Sequence, residues 1–323
     1  MKNKVNIAPM MDWTDRHCRY FLRLLSPHVG LYTEMITAAA LIHGDAEKLL
    51  RFDAAEHPVA LQLGGSDPEM MATAARKGAD AGYDEININV GCPSDRVQSG
   101  QFGACLMSTP DLVAACYREM SSAVDVPVTV KSRIGIDGRD DYEFLRAFVA
   151  ILADAGCRRF IVHARIAVLE GLSPKENRSV PPLDYERVYR LKQEFPDLGI
   201  VVNGGIESAD QVVAHLEHVD GVMIGRKAYH DPYFLAELEK SLLAGAGWQP
   251  PGRAEVVESM IPYVERQMAQ GTELKHVTRH MLGLFAGRPG ARVWRRHLGE
   301  HAHLPGAGVE ILREALKVLP EAA

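Results

Sequence analysis

One cysteine in this sequence occupies a position where a thiol can take part in chemistry. Cys92 lies between Gly91 and Pro93, directly after the β-branched run 85–90, and it opens the long loop 91–110. A structural cysteine usually packs inside a helix or strand as a small apolar side chain, whereas a turn of glycine and proline exposes it. A thiol in water is mainly protonated at neutral pH, which suits a proton donor. We therefore predict that Cys92 is a catalytic acid.

The other four cysteines are interpreted as packing residues. Cys105 lies on the same loop and is the one alternative reactive thiol, but packing is the favoured interpretation. Cys18, Cys116 and Cys157 fall in helical patterns or at a helix end. An odd number of cysteines without a CxxC pair predicts neither a disulfide framework nor a zinc site, and we expect no metal. It also favours a reducing, cytoplasmic location.

Polar side chains recur at the carboxyl ends of several apolar runs. Gln62, Lys131 and His163 are placed in this way, and buried polar groups are costly unless they are satisfied. A cation, an imidazole and an amide suit a flat heteroaromatic ligand with carbonyl oxygens. A flavin fits, with Lys131 favouring negative charge at its N1/O2 edge and Gln62 bonding N3/O4. A Schiff-base role for Lys131 stays open as an alternative.

Two glycine-containing segments later in the chain predict a phosphate site. Gly204-Gly205 and Gly225-Arg226 end two further apolar runs, and glycines let backbone N–H groups approach a phosphate closely. Arg226 would supply the counter-charge. Phosphosugar enzymes share this arrangement, and tight turns without a ligand are the simpler alternative.

The elements that must position these residues follow a regular alternation. Short apolar runs alternate with segments of helical periodicity through the first 240 residues, and residues 141–156 are one such helical segment. The runs are 5–10, 31–35, 59–64, 85–90, 126–135, 160–165, 199–206 and 221–226. Eight such alternations predict an α/β fold, a (β/α)8 TIM barrel with its active site at the carboxyl ends of the strands.

The remainder of the chain predicts a small all-helical C-terminal domain. We divide the sequence into a barrel domain at 1–241, a Gly/Pro-rich linker at 242–254 and a helical domain at 255–323. The chain has a net charge of −6, but residues 1–249 carry −8 and residues 250–323 carry +2. The amino terminus lacks an apolar signal-peptide region, and no apolar run is long enough for a membrane span.

Together these segments resemble the tRNA-dihydrouridine synthase family. The resemblance runs through the whole chain, and segments 91–107 and 163–185 look closest to the A-type bacterial branch. The NxNxGCP context is the most specific of the motifs. The matching segments are APMMDWTD (8–15), ALQLGG (60–65), NINVGCPSDRV (87–97), VKSRIG (130–135), VHAR (162–165), NGGI (203–206) and GR (225–226).

The resemblance implies an FMN-dependent enzyme that uses NADPH to reduce a uridine of tRNA to 5,6-dihydrouridine. A hydride would pass from flavin N5 to C6 of the uracil, and Cys92 would give a proton to C5. The target base would be extruded from the folded RNA into the barrel mouth. The residues implied to contact FMN are Ala8, Pro9, Met10, Gln62, Lys131, His163, Asn203, Gly204, Gly205, Gly225 and Arg226.

The resemblance also implies residues that hold the tRNA. Asn89 would contact the target uridine, and the A-type branch implies positions 20 and 20a of the D-loop. The implied tRNA-binding residues are Lys175, Glu176 and Arg178 in the loop 172–182, with Arg292 and Arg295 on one face of a tail helix, and the basic ones among them would hold the phosphate backbone. Arg296 is interpreted as solvated. No membrane and no obligatory protein partner is expected.

Three rival functions remain at this point. A flavin barrel acting on a free pyrimidine, of the dihydroorotate type, would share the phosphate site and a loop cysteine. A flavin-free phosphosugar lyase or isomerase would use Lys131. A non-catalytic RNA-binding barrel would leave the polar strand ends unexplained.

Overall fold

The computed structural model describes residues 3–94, 100–245 and 247–319. Residues 95–97, which end the NINVGCPSDRV segment, lie outside the described residues, as do Ala246 of the predicted linker and 320–323 of the predicted helical domain. The chain divides into two compact units. One contains the residues up to Met11 together with Gly30–Gly225, and the other contains Asp12–Val29 together with the chain from Arg226 onward.

The first unit is built around a sheet of parallel strands. Among the described residues the sheet has eight strands in the order β1-β8-β7-β6-β5-β4-β3-β2. Their bounds are β1 Val5–Ile7, β2 Leu31–Thr37, β3 Val59–Gly64, β4 Glu85–Val90, β5 Val128–Arg133, β6 Arg159–His163, β7 Gly199–Asn203 and β8 Gly221–Ile224. Each predicted apolar run overlaps one of these strands, so the predicted (β/α)8 fold is confirmed.

The sheet curls round so that β1 and β2, the two strands at its ends, approach each other. β1 pairs with β8, and on its other side Ile7 donates its N–H to the Gly30 carbonyl at 2.8 Å. The Gly30 N–H in turn donates to the Val5 carbonyl at 3.0 Å. A side chain at Gly30 would collide with the Asn6 amide oxygen, so glycine is needed where β2 approaches β1.

Helices follow most of the strands. The helices are α1 Arg16–Leu25, α2 Ala38–His43, α3 Ala46–Leu49, α4 Pro68–Asp80, α5 Pro110–Ala123, α6 Tyr142–Asp154, α7 Tyr185–Glu194, α8 Ala209–Leu216, α9 Arg226–His230, α10 Phe234–Leu238, α11 Arg253–Ala269, α12 Leu274–Thr278, α13 Ala291–His301 and α14 Glu310–Lys317. Short 3-10 turns occupy Ala54–Glu56, Gly103–Ser108 and Glu176–Arg178, and a π-helical turn occupies Glu239–Leu243.

Aspartates begin several barrel helices. The Asp67, Asp141 and Asp184 side chains each accept a backbone N–H from the first turn of α4, α6 and α7. This N-cap satisfies one of the donors that a helix start leaves unpaired, and it contributes about 1 kcal/mol. The caps therefore fix where each helix leaves the carboxyl end of the preceding strand.

The second unit joins α1 to the tail helices. The Tyr20 ring stacks on Tyr263 of α11 with centroids 3.9 Å apart, and the His17 Nδ1 lies 2.7 Å from the Tyr263 hydroxyl. Arg16 donates to the Gln267 side chain at 3.0 Å. The helix α1, which lies between β1 and β2 in the sequence, thus belongs to the same unit as the tail helices. The domain division at residue 241 does not include this long-range pairing. That division stays a prediction about folding domains.

The buried imidazole of His17 gives the second unit a pH-dependent stability. Burial lowers the pKa of His17 to about 4, below the ordinary value of 6.5. Between these two values the unfolded chain binds the proton and the folded chain does not, so stability falls as the pH falls. From about pH 8 to about pH 5 the loss is on the order of 2 kcal/mol.

We expect His17→Gln to remove this part of the pH dependence. Denaturant unfolding of the variant and the wild type near pH 8 and pH 5 measures it. The Asp15 pKa is also lowered, but a carboxylate loses its contribution only in more acidic solution, outside this range. Equal losses of unfolding free energy in the two proteins would show that His17 is not the titrating group.

Candidate active site

The strand register brings the predicted site residues together at one end of the barrel. Asn89 lies beside Lys131, and Arg133 lies beside His163. His163 lies beside Asn203 on the next strand, and Gln62 pairs with Asn87 on β4. Apart from Asn87, the third residue of β4, these residues stand in the carboxyl-terminal halves of β3 to β7, the end that carries the active site in barrels of this kind.

A buried hydrogen-bonded network supports this end of the barrel from within. Gln62 donates to the Asn87 side chain at 2.8 Å, and Asn87 donates to the Thr129 hydroxyl at 2.8 Å. Thr129 and Tyr32 both donate to Glu85 at 2.7 Å. Burial and the Glu85 carboxylate raise the pKa of Tyr32. Satisfied polar networks of this kind hold their members in one arrangement, so Gln62 is fixed before any ligand arrives.

Asn89 shapes the turn that carries Cys92. Its side-chain oxygen accepts the N–H of Gly91 at 3.1 Å and that of Cys92 at 3.0 Å. Its amide nitrogen donates to the Gln62 oxygen at 2.8 Å. The Cys92 thiol is partly exposed and lies 3.5 Å from the Ser94 hydroxyl. One amide therefore connects the buried network to the position of the thiol.

Arg133 is a polar residue at the end of β5 to which the sequence analysis gives no role. It is 4% exposed, and its Nε donates to the Gly91 carbonyl at 3.1 Å. Its Nη1 donates to the carbonyls of Ile166 at 3.3 Å and Asn177 at 3.0 Å. The signal was available in the sequence, because alternate strand residues share a face and Arg133 is two positions after Lys131. The guanidinium braces the thiol turn against the loop after β6.

Lys131 lies close to two groups that affect its charge. Burial, together with the smaller effect of the positive charge of Arg133, lowers the pKa of Lys131 to about 7, and Cys92 acts in the opposite direction. Burial lowers the pKa of Arg133 to about 10. A lysine near half-protonation gains charge when an anionic or strongly polar ligand arrives, so this corner of the barrel is suited to negative charge.

The end of β7 forms a narrow cradle beside His163. Gly204 has a φ of +118° and Gly205 a φ of +65°, which L side chains rarely adopt. A Cβ on Gly204 would stand 2.7 Å from the His163 ring, and one on Gly205 would stand 2.6 Å from Leu183. Asn203 donates to the Met223 carbonyl on β8 at 2.7 Å. Glycine is therefore required at both positions, and Gly205 is partly exposed.

The remaining predicted cofactor residues follow β1 and β8. Ala8 is buried in the barrel core with Tyr32, Ile161 and Met223, and Met10 packs against this cluster; Pro9 is half-buried. Gly225 directly follows β8, and a Cβ there would stand 3.7 Å from the Met10 sulfur. Arg226 is the first residue of α9 and is counted with the second unit.

The predicted RNA-contacting residues are all exposed except Asn89. Lys175, Glu176 and Arg178 lie in the loop after β6, and the Glu176 carboxylate accepts both the N–H and the hydroxyl of Ser173. Those hydrogen bonds lower the pKa of Glu176. Arg292 and Arg295 are exposed on α13.

A buried asparagine that sequence reasoning missed organises the loop after β6. Asn177 is 0% exposed, its oxygen accepts the Val168 N–H at 2.8 Å, and its nitrogen donates to the Val168 carbonyl at 2.8 Å and to that of Leu172 at 3.2 Å. Nothing in a polar loop sequence distinguishes such a residue from its exposed neighbours Glu176 and Arg178.

The other cysteines lie in less reactive surroundings. Burial raises the pKa of the Cys116 thiol to about 11 and that of Cys157 to about 12, and Cys18 is buried. The Cys105 thiol donates to the Phe102 carbonyl at 3.1 Å, and burial raises its pKa. Of the five, Cys92 is the one placed on the turn beside Lys131 and Arg133.

The described residues also limit other kinds of site. Within ranges 3–94, 100–245 and 247–319, no group of three or more histidine, cysteine or acidic side chains is placed to hold a metal ion. No helix in those ranges is long and apolar enough to cross a membrane.

Solved structures agree on the class of fold. The structure of 2-naphthoyl-CoA reductase in complex with 2-naphthoyl-CoA matches with a TM-score of 0.57 at 12% identity, over 74% of this chain and 50% of that one. The structure of TcOYE with pHBA matches with a TM-score of 0.55 at 12% identity, over 79% and 92%. The fold and the site together define an enzyme of the (β/α)8-barrel class.

Sequence comparison identifies the family. The model of the dihydrouridine synthase (Dus) family matches residues 6–319, and the chain belongs to this family, whose members are oxidoreductases. A relative from Vibrio cholerae, named tRNA-dihydrouridine(20/20a) synthase, is 57% identical over 98% of this chain and 97% of its own length. Relatives of the same name from Synechocystis and from Escherichia coli K12 are 58% and 56% identical, over 94% and 92% of their lengths. The predicted family is confirmed.

Proposed function

We propose that this chain reduces the C5–C6 double bond of uridines 20 and 20a in the tRNA D-loop, with FMN as its bound cofactor and NADPH as the reductant. The observation that carries the proposal is the position of Cys92, on a turn held by Asn89 and Arg133 at the same end of the barrel as the glycine cradle. The names of the relatives support the substrate, since they are 54–58% identical over 98% of the chain.

The residues present fit a flavin mononucleotide. The chain leaves β7 through Gly204 and Gly205, where the packing of His163 and Leu183 leaves no room for a Cβ; backbone N–H groups in a glycine turn of this kind suit a phosphate. Gln62 and Lys131 offer an amide and a cation to the carbonyl edge of the ring, and His163 lies against the cradle. We assign the flavin to these residues together with Ala8, Pro9, Met10, Asn203, Gly225 and Arg226.

The role of Cys92 follows from the electron balance of the reduction. A flavin held by these residues would supply the hydride that is added at C6 of the uracil. The electron pair of the C5–C6 bond then moves toward C5 and the C4 carbonyl, and C5 takes the proton from the Cys92 thiol. Asn89 holds the turn that carries this thiol by accepting hydrogen bonds from two backbone N–H groups, those of Gly91 and Cys92, and it offers its amide to the uracil. The proton donor therefore stays in place during the step.

Recognition of the RNA is assigned to exposed side chains on both units. Lys175, Glu176 and Arg178 stand on the loop that Asn177 orders, and Arg292 and Arg295 stand on α13. The four cationic side chains of this set, all but Glu176, would hold phosphates without reading sequence. The uridine is extruded because a hydride cannot reach C6 of a base inside a stack. A reducing cytoplasm, where tRNA and NADPH occur together, is part of the same proposal.

A visible absorbance spectrum of the purified chain tests the proposal. We expect flavin bands that bleach on addition of NADPH and return on addition of unmodified tRNA. Bands that bleach but ignore tRNA, and return with a free pyrimidine, would favour the small-substrate enzyme. An absence of flavin bands after FMN is added would favour the phosphosugar chemistry of Lys131 instead.

A further inference from the structure

Tyr185 makes a hydrogen bond to the glycine cradle from the first residue of α7. Its hydroxyl donates to the Gly204 carbonyl at 2.6 Å. Its ring is held edge-to-face against His215 of α8, with centroids 4.5 Å apart, and the His215 Nδ1 lies 2.7 Å from the Tyr189 hydroxyl. The tyrosine is therefore fixed from the side of the helices, and its one polar atom is directed at the backbone of the cradle.

The residues before Tyr185 close on the same two glycines. Leu183 stands where a Cβ on Gly204 or Gly205 would fall, at 3.0 and 2.6 Å. Asp184 starts α7 by accepting the Arg187 N–H at 3.0 Å, and its own N–H donates to the Ala164 carbonyl at 2.8 Å. Asp184 is thus anchored by two hydrogen bonds, and its two neighbours, Leu183 and Tyr185, both contact the glycine cradle.

The bond to Gly204 determines the direction of the next amide. In a trans peptide the C=O and N–H groups point in opposite directions. Because the Gly204 carbonyl points to Tyr185 on α7, the Gly205 N–H points away from that helix. Among the residues that the structure describes, the Gly205 N–H donates to no backbone carbonyl. Such an N–H group is available to donate to an anion.

We propose that Tyr185 is a positioning residue for the flavin phosphate, acting through the Gly204–Gly205 peptide. This inference rests on the proposed function, which places the phosphate of FMN at the cradle. Both glycines have positive φ values and hence wide conformational freedom, so the cradle needs an external restraint to present the amide in one direction. The tyrosine hydroxyl provides this restraint without touching the ligand.

The experiment compares FMN with riboflavin, which has the same ring and lacks the phosphate. The full chain is stripped of flavin and titrated with each ligand, as the wild type and as Tyr185→Phe. We expect the variant to bind FMN about five- to tenfold more weakly, the effect of one lost hydrogen bond, and to bind riboflavin with unchanged affinity. A general loosening of the fold would weaken both ligands equally.

Tyr117→Phe is the matched control. Its hydroxyl donates to the Gly156 carbonyl at 3.0 Å, and Gly156 also has a positive φ, +109°, but it follows α6 at the opposite end of the barrel. We expect this variant to bind both ligands as the wild type does. Unchanged FMN affinity in Tyr185→Phe, or an equal loss for FMN and riboflavin, overturns the proposal.

The wild-type titrations separate this inference from the proposed function. Wild type that binds FMN no more tightly than riboflavin has no phosphate site at the cradle, and the role of Tyr185 fails with it. If the wild type binds FMN more tightly than riboflavin and tRNA reoxidises its reduced flavin, the proposed function is upheld. The Tyr185→Phe titration alone then decides the role of the tyrosine.

Discussion

Cys92→Ala should retain its flavin and lose at least about 100-fold in the tRNA-dependent step, the usual effect of removing a general acid. The thiol has no part in the predicted flavin contacts, so reduction of the bound flavin by NADPH should proceed at the wild-type rate. Among residues 91–94, the part of this turn that the structure describes, the other side chain that could give a proton to C5 is the Ser94 hydroxyl, a much weaker acid. Stopped-flow spectra that follow bleaching and recovery separately measure the two steps.

Cys105→Ala provides the control for that result. Cys105 belongs to the same loop, but its thiol is bonded to the Phe102 carbonyl and its pKa is raised by burial. This variant should oxidise with tRNA at the wild-type rate. Retention of wild-type recovery in Cys92→Ala would remove Cys92 from the mechanism, and slow NADPH bleaching in the same variant would mean that the substitution disturbs the flavin site.

The barrel and the strand-end residues were readable from the sequence for a physical reason. Parallel strands buried on both faces read as apolar runs, and polar residues in such runs stand out because burial is costly. Their meeting in space follows from the fold alone. Gln62, Lys131 and His163 were therefore found without a structure, and Arg133 was within reach of the same argument.

Residues that act through loop geometry could not be found in this way. The contacts of Asn177 and Tyr185 depend on the path of the chain between β6 and α7, which no periodicity encodes. The sequence pattern also predicts only approximately which face of a helix is buried. The apolar spacing in 141–156 puts Phe144 on one face with Phe148 and Leu152, whereas the structure of α6 buries Leu145 and Val149 beside Phe148 and Leu152.

The grouping of α1 with the tail has a similar explanation. Tyr20 and Tyr263 are far apart in sequence, and their stacking follows from the surfaces of two amphipathic helices and not from any local signal. A composition change after residue 240 indicated where helices replace strands, but it carried no information about which earlier segment pairs with them.

Replacing both Arg292 and Arg295 with alanine should weaken tRNA binding and flatten its salt dependence. Each phosphate contact contributes roughly 0.7 to 0.9 to the slope of log affinity against log salt, so losing two contacts should reduce the slope by about 1.5. Affinity near 0.1 M salt should fall on the order of 10- to 100-fold. The fold should persist, since α13 is anchored by Trp294, whose indole N–H donates to the Met281 carbonyl at 2.9 Å.

A double substitution of Arg296 and Arg313 by alanine removes the same charge from the same unit. Both side chains are exposed, Arg296 on α13 and Arg313 on α14, and neither is assigned to the RNA. If the tail acts only through its overall positive charge, the two double variants will lose equal slope, and the assignment to one face of α13 fails. If Arg292 and Arg295 hold phosphates, only their variant will lose slope, because counterions are released where a cation sits on a phosphate and not wherever the surface is positive.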